Sequence, residues 1–355
     1  MKKSVSYLFV SMTLLLSTLT ATAKPPTLQH PFTATVEGSD PLMQKAWHLK
    51  KIGAFSAWKQ ELGSPEITLA IVDSGINYNH PEVAPNLKRK LAEWPSTGVD
   101  KDENGFIDDM IGWDFVRGNF LPFDKTGHGT FVAAVAAGVK NNGLGASGVC
   151  PQCSLLPLRF LNWEGLGDTE DAIKAIYYAA NEHVSVINLS FAGEGYDQEL
   201  FDALDTARNN DVVVVVAAGN DGENIEKQSI YPAKFKLPNM LTVAASTRND
   251  ELLDSSNWGH STVQLAAPGE DIIGPWFSTW DMNSGTSFSA AIVTGAVGLV
   301  RSSNPKLKAA KVVEILKATV KIADAQNNKT VTGGILDVGA AVKCASDRKL
   351  SCLKY

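Results

Sequence analysis

An aspartate, a histidine and a serine, each at the edge of an ordered-looking run, carry the most chemical potential in this chain of 355 residues. Ile71-Val72-Asp73-Ser74-Gly75 sets a carboxylate at the end of an apolar run, where Gly75 lets the chain turn away. Thr126-Gly127-His128-Gly129-Thr130 puts an imidazole between two glycines at the head of an Ala/Val-rich run, open to close backbone approach. Asn283-Ser284-Gly285-Thr286-Ser287 leads into a long apolar helical pattern, so Ser287 falls where unpaired N–H groups and the helix dipole favour negative charge. Singly, each has a plainer reading: a turn aspartate, a structural histidine, an N-cap serine. Together they supply what an alcohol needs to become a nucleophile, an imidazole to take its proton and a carboxylate to fix the imidazole's tautomer and stabilise its charged form. A carbonyl attacked by that alcohol becomes an oxyanion. Ala217-Ala218-Gly219-Asn220 offers an amide side chain just past a Val-rich run as one donor to it, with the Ser287 backbone N–H as the second.

Residues with those roles need a scaffold that brings distant segments to one edge. Compact apolar runs at 67–72, 155–161, 184–189, 212–218, 241–245 and 263–267 have the length and composition of strands, and most lack alternating polarity. Such strands are covered on both faces, as in a parallel sheet between helix layers. Helical patterns fall between or after them at 129–139, 169–181, 197–209 and 286–303, and Asn304-Pro305 ends the last. The alternation predicts an α/β fold, a doubly wound, mainly parallel sheet with helices on both faces. Sheets of this kind bind ligands beyond the carboxyl ends of their strands, which is where Asp73 and Asn220 fall.

Composition narrows the functional classes. At 44% hydrophobic and 20% charged residues, the chain is neither disordered nor fibrous. A formal net charge of -6 and the absence of any long Lys/Arg block exclude nucleic acid or an anionic membrane surface as the main partner. Met1-Lys2-Lys3, the uncharged run from Tyr7 to Leu19, and Ala21-Thr22-Ala23 together predict a Sec signal peptide over 1–23. That run is shorter than the roughly 20 residues of a spanning helix, so an extracellular or periplasmic protein without stable membrane insertion is expected. Cysteine usage suits the compartment. Cys150 and Cys153 are expected to form a local structural disulfide in preference to a redox dithiol, and Cys344 with Cys352 a second that closes the tail 344–355.

A further pattern concerns metal. Asp100, Asp102, Asn104 and Asp108 place oxygen side chains at alternate positions, with Gly105 sixth, the Phe106 carbonyl seventh and Asp109 following. This is the donor spacing of a Ca²⁺ loop of the EF-hand kind, except that Ile111 stands at position twelve in place of a bidentate Glu. A structural Ca²⁺ is expected on Asp100, Asp102, Asn104, Phe106, Asp108 and Asp109.

From about Ala46 to Val342 the sequence resembles the subtilisin-like serine proteases, or subtilases. The likeness rests on Val72-Asp73-Ser74-Gly75, Gly127-His128-Gly129-Thr130, Ile187-Asn188-Leu189-Ser190, Ala217-Ala218-Gly219-Asn220, Ala266-Ala267-Pro268-Gly269 and Ser284-Gly285-Thr286-Ser287. The order Asp, His, Ser is that of subtilisin itself. The resemblance implies a three-layer subtilisin-like catalytic domain over 46–343, preceded by a short lead at 24–45. It also implies a monomeric endopeptidase of broad specificity that hydrolyses proteins or peptides through an acyl-enzyme on Ser287. The substrate would lie extended between Gly165-Leu166-Gly167 and Ser190-Phe191-Ala192 and add a strand to them. Its primary pocket would be bounded by 190–192 and 217–219, with Ile230 and Ala233 toward the floor and Asp221, Glu223 and Glu226 near the rim. Apolar and basic preferences both remain open.

Three departures accompany the likeness. Phe288-Ser289-Ala290-Ala291-Ile292 replaces the usual small residue, Ser, Pro and His after the serine, Phe131 stands where many relatives carry a second His, and 24–45 is too short for the usual inhibitory prodomain. Glu82 with Lys140-Asn141-Asn142-Gly143 resembles a second calcium site of the family. The same constellation would also suit a catalytically silent peptide-binding homologue, or an enzyme passing its acyl group to an amine.

Overall fold

The β-branched runs assemble into a nine-stranded sheet, seen in a computed structural model that describes residues 38–353. The expected signal peptide over 1–23, and 24–37 of the expected lead, lie outside the described residues. In chain order the strands are β1 (Thr68–Asp73), β2 (Trp113–Asp114), β3 (Ser154–Arg159), β4 (Val186–Leu189), β5 (Gly193–Glu194), β6 (Val213–Ala217), β7 (Ile230–Tyr231), β8 (Met240–Ser246), β9 (Leu265–Pro268), β10 (Ile272–Trp276), β11 (Thr279–Asn283), β12 (Lys321–Ile322) and β13 (Gly334–Ile335). The α-helices are α1 (Trp47–Lys51), α2 (Ala54–Ala57), α3 (His128–Ala137), α4 (Thr169–Asn181), α5 (Gln198–Asn209), α6 (Thr286–Ser303), α7 (Ala309–Ala318) and α8 (Val338–Ser346). Among the described residues, no helix is long and apolar enough to cross a membrane.

The sheet order is β12-β13-β9-β8-β6-β4-β1-β3-β2, parallel except at the edge pair β12–β13. Successive side chains of each central strand enter different cores. Leu69, Ile71, Val213 and Val215 pack with α3, α6, α7 and α8, whereas Ala70, Val72, Val214 and Val216 pack with α4 and α5. Both faces are therefore dry, which is why the runs show no polar alternation. After β1 the chain moves to β2 and β3 on one side, and after β4 to β6 on the other, although β1 and β4 are neighbours. Their carboxyl ends flank a switch point of the winding, where a crevice opens. Asp73 ends β1, and Ser190 follows β4.

Of the expected lead, residues 38–45 lie against the body of the fold. Asp40 accepts the N–H groups of Asn141 and Gly143 at 2.7 and 2.9 Å, and the Leu42 N–H donates to the Gly145 carbonyl at 2.8 Å. Both disulfides join the expected partners, with Cα–Cα distances of 5.5 Å for Cys150–Cys153 and 5.9 Å for Cys344–Cys352. The first lies against α6. A Cβ on Gly298 would stand 2.8 Å from Cys153 Sγ and 3.0 Å from Cys150 Sγ, so this helical position admits the sulfur pair only as glycine. Gly298→Ala should therefore lose about 1–3 kcal/mol of stability through overpacking, despite alanine's better helix propensity. The check is the urea midpoint, which should fall; an unchanged or raised midpoint would mean that the sulfurs yield freely.

Candidate active site

The strand end at Asp73 and the helix start at His128 meet because small residues let them. Gly127 precedes α3 with φ +89°, and a Cβ on Gly129 would lie 2.1 Å from the Gly75 carbonyl oxygen, so the first turn of α3 presses directly on the chain leaving β1. In that position His128 Nδ1 lies 2.8 Å from Asp73 Oδ1 and 3.0 Å from Oδ2. Asp73 is buried at 1% exposure, and its Oδ1 also accepts the Ser74 N–H at 2.6 Å.

Sequence reasoning missed a second carboxylate behind this pair. Asp124 is buried and accepts the N–H groups of Thr126, Gly127 and Thr130, the hydroxyls of Thr126 and Thr130, and the Ser74 hydroxyl at 2.9 Å. Ser74 Oγ in turn accepts the Gly129 N–H at 3.0 Å, which ties the end of β1 to the start of α3. Its signal was local, an acid three residues before Gly127, but an isolated loop aspartate carries no mark of burial. Burial pulls the His128 pKa down, but the adjoining Asp73 carboxylate and the more distant charge of Asp124 outweigh it and leave the value above the ordinary histidine one.

Ser287 is the second residue of α6, preceded by Gly285 at φ +146°. Its hydroxyl donates to the Ser190 carbonyl across a long 3.4 Å, while the Ser190 hydroxyl donates to the Ser287 carbonyl at 3.1 Å. Asn188 Nδ2 donates to Ser190 Oγ at 2.8 Å, and Thr294 Oγ1 donates to Asn188 Oδ1 at 2.9 Å, so buried side chains from β4 and α6 brace this point. Among the described residues no hydrogen bond joins Ser287 to His128. Such bonds are commonly loose without substrate. The two segments are nonetheless adjacent, because the Phe288 ring centroid lies 5.9 Å from that of His128 and 4.5 Å from that of Phe131. The departure at Phe131 thus has a packing reason: its buried ring fills the space beneath the β10–β11 hairpin, where a Cβ on Gly274 would come within 2.7 Å of it.

Asn220 reaches the same place from the end of β6. Its Oδ1 accepts the Thr286 N–H at 2.9 Å and the Thr286 hydroxyl at 3.1 Å, which leaves the NH₂ end of the amide available to a ligand. Asp73, His128, Asn220 and Ser287 are thereby gathered around the carboxyl edge of the sheet. A groove of about 840 Å³ passes His128 and is lined by both expected edges, Gly165, Leu166 and Gly167 on one loop and Ser190, Phe191 and Ala192 on the other. The Asn162 N–H donates to the Leu166 carbonyl at 2.7 Å, folding the first edge on itself, and the Phe191 ring packs against Phe160 at 4.6 Å between centroids, tilted by 55°. Trp163, Tyr196, Trp276 and Phe277 join the lining unannounced by any sequence motif. Ala233 is wholly buried, and Ile230 pairs with Glu194. Of the expected rim acids, Asp221 bonds Asn257 and Glu226 is turned to Ser261 and His260.

Residues 64–335 match the sequence profile described as the subtilase family. The chain belongs to that family. Among the relatives of this subtilase is thermitase of Thermoactinomyces vulgaris, 35% identical over 254 residues that span 71% of this chain and 81% of thermitase. Subtilisin-like protease 1 of Plasmodium berghei is 31% identical over 310 residues, 81% of this chain but 51% of its own length. This subtilase spans about half the length of the Plasmodium proteins it matches. Among solved structures, a protease of Pseudoalteromonas arctica superposes with a TM-score of 0.73 at 25% identity, covering 87% of this chain and 100% of that one. A cold-adapted subtilisin-like serine proteinase superposes with a TM-score of 0.65 at 26% identity, covering 82% and 97%.

The acidic loop of this subtilase assembles differently from the expected donor set. Asp108 faces away from the loop centre and accepts Ser96 Oγ, Thr97 N–H and Gly98 N–H at 2.8, 2.9 and 2.8 Å. Asp109 is held by Lys90 at 2.9 Å, by Asn104 Nδ2 at 2.9 Å and by the Tyr178 hydroxyl. The Phe106 ring packs edge-on against Trp113, Phe115 and Tyr178. Three acids do converge: one oxygen each from Glu93, Asp100 and Asp102 lies within 4.8 Å of the others. Glu93 also accepts the N–H groups of Lys101, Asp102 and Asp108, and so supplies from upstream the third carboxylate that Ile111 does not. Asp102 Oδ1 is buried with no hydrogen-bond partner among the described residues, which suits an oxygen that faces a cation. At the second expected place, burial pushes Glu82 up to about 8, the Asn142 amide lowering it and Asp40 raising it. Its Oε1 likewise has no hydrogen-bond partner among the described residues.

Proposed function

We propose that this subtilase is an exported serine endopeptidase of broad specificity, stabilised by calcium. The observation that carries the reading is the His128–Asp73 pair, 2.8 Å apart at the switch point of the sheet, with Asn220 bonded to the residue before Ser287. His128 Nε2 takes the Ser287 proton as Oγ bonds to the substrate carbonyl carbon, and Asp73 keeps the Nδ1 proton in place and stabilises the imidazolium. Asn220 Nδ2 and the Ser287 N–H hold the oxyanion. His128 then gives its proton to the departing amine as the C–N bond breaks. Water repeats the sequence, losing a proton to His128 and expelling Ser287 Oγ, which takes that proton back. The extended substrate pairs its main chain with Gly165-Leu166-Gly167 and Ser190-Phe191-Ala192, so most affinity is independent of side-chain identity. Digestion of casein and of a peptide library by purified protein tests the reading: hydrolytic fragments that vanish on fluorophosphonate treatment support it. Ligated or cyclised products, or no turnover at all, would replace it.

The raised His128 pKa gives this reading a pH signature. Protonated His128 cannot accept the Ser287 proton, so kcat/KM should rise with pH through that pKa, above the ordinary value of 6.5. Asp124→Asn removes a charge that favours the imidazolium. Its acid limb should move to lower pH by less than about 1 unit, and a profile that stays or moves upward would show that Asp124 does not act on His128.

Calcium is proposed at Glu93, Asp100 and Asp102, with Glu82 and the 140–143 loop as a second place. The ion would supply charge neutralisation that lets the acids stay together, with no part in the chemistry. Removing it with EDTA should lower the melting temperature, since a ligand at about 100 times its Kd stabilises by about 2.7 kcal/mol. An unchanged melting temperature would contradict the proposal.

A further inference from the structure

Asn257 is wholly buried in the segment after β8, outside every catalytic step just described, yet the whole hydrogen-bonding capacity of its side chain is directed at the turn that carries Asn220. An asparagine side chain has two donors and two acceptor lone pairs. Nδ2 donates to the Ala218 carbonyl and to Asp221 Oδ2, both at 3.1 Å, while Oδ1 accepts the N–H groups of Asp221 at 3.0 Å and Glu223 at 2.9 Å. All four are satisfied by the residues on either side of Asn220. The backbone adds to this, with the Asn257 N–H donating to the Gly219 carbonyl at 2.9 Å and the Gly222 N–H to the Ser255 carbonyl at 2.9 Å. Gly219 has φ +102°, and a Cβ there would stand 2.4 Å from Asn257 Nδ2, so the amide lies directly against the residue preceding Asn220.

We infer that Asn257 is a positioning residue for the oxyanion hole. Resting on the proposed role of Asn220, the inference adds what holds that side chain in place. Thr286 fixes the Asn220 amide oxygen from the side of α6, and Asn257 fixes the backbone that bears it. A donor stabilises a developing oxyanion only when it is already in position, and a displacement of about 1 Å can cost a hundredfold in rate. Neither anchor alone determines where Nδ2 lies: a turn free to shift would carry the Asn220 Cα with it.

A double-mutant cycle on the full chain tests this, with kcat and KM measured for wild type, Asn257→Ala, Asn220→Ala and the double variant. Asn257→Ala should lower kcat by about 10–100-fold with KM within about twofold, and in the Asn220→Ala background the same change should lower kcat by less than about twofold. Asn257→Asp keeps the two acceptor bonds but turns oxygen toward the Ala218 carbonyl and the Asp221 carboxylate. It guards against an alanine variant that fails to fold, and should show the same dependence on Asn220. Equal losses in both backgrounds, or kcat within twofold of wild type for both Asn257 variants, would overturn the inference while leaving the proposed function standing. A wild-type kcat for Asn220→Ala would overturn the oxyanion role and the inference with it.

Discussion

Ser287→Ala should lower kcat by about 10⁶-fold, the magnitude known from subtilisin itself, and leave a folded protein. In the proposed mechanism its hydroxyl is the nucleophile, and neither neighbouring serine is placed to replace it. Ser190 directs its own hydroxyl to the Ser287 carbonyl, and Ser289 directs its hydroxyl to the carbonyls of Ala267 and Pro268 at 3.0 Å. Stability should change little. Among the described residues Ser287 Oγ makes only the long 3.4 Å bond to Ser190, and the bracing bond from Ser190 ends on the Ser287 backbone, which alanine keeps. The expected residue of activity is about 10³–10⁴-fold over water, from the oxyanion donors and substrate positioning alone. Initial rates on a chromogenic peptide, with the urea midpoint as a folding control, measure both. A kcat within tenfold of wild type would remove Ser287 from the mechanism.

Asp73→Asn should come second, at about 10⁴-fold in kcat. In the proposed mechanism the buried carboxylate accepts the proton on His128 Nδ1, which leaves Nε2 to act as the base. An amide in its place can turn its NH₂ toward Nδ1 and stabilise the opposite tautomer, in which Nε2 carries the proton and cannot act as base. The acid limb should also fall to lower pH, because Asp73 is the main influence holding the His128 pKa up against burial. The amide oxygen of the variant can still accept the Ser74 N–H that Asp73 Oδ1 accepts at 2.6 Å, so the strand end should keep its shape. Loss of rate without a lowered acid limb would mean that Asp73 is structural.

The central layers were legible because their signal is local. Runs such as Val212 to Ala218 are apolar at every position, since both faces are buried, and α6 was read from its composition and its Asn304-Pro305 stop. The elements beyond Ser303 and the β10–β11 hairpin are not among those the apolar pattern predicts. Pro275 and Gly274 interrupt β10, and β11 is largely exposed, so neither has a strand's apolar pattern; Gly274 is there because of Phe131, far away in the chain. In the site, Asp73, His128, Asn220 and Ser287 stand at strand or helix ends, positions a sequence pattern can mark. Asn188 and Thr286 lie within two of the quoted motifs, but their bonds to Thr294 and Asn220 join segments distant in sequence, whereas nothing in the neighbourhoods of Asp124 and Asn257 distinguishes them from ordinary loop residues. The acidic loop shows the same limit. Spacing located the loop and its acids, whereas the direction of each carboxylate depended on Lys90 and Tyr178 for Asp109, on Ser96 to Gly98 for Asp108, and on Glu93, which precedes the loop.

The proposed mechanism stands or falls on whether Ser287 is activated by its neighbours. Reaction of the purified protein with a fluorophosphonate, followed by intact mass and peptide mapping, measures this without reference to any natural substrate. The account predicts a single adduct on Ser287, absent from Ser287→Ala and strongly slowed in His128→Ala and Asp73→Asn. An adduct elsewhere, or no adduct on a folded wild-type protein, would contradict it.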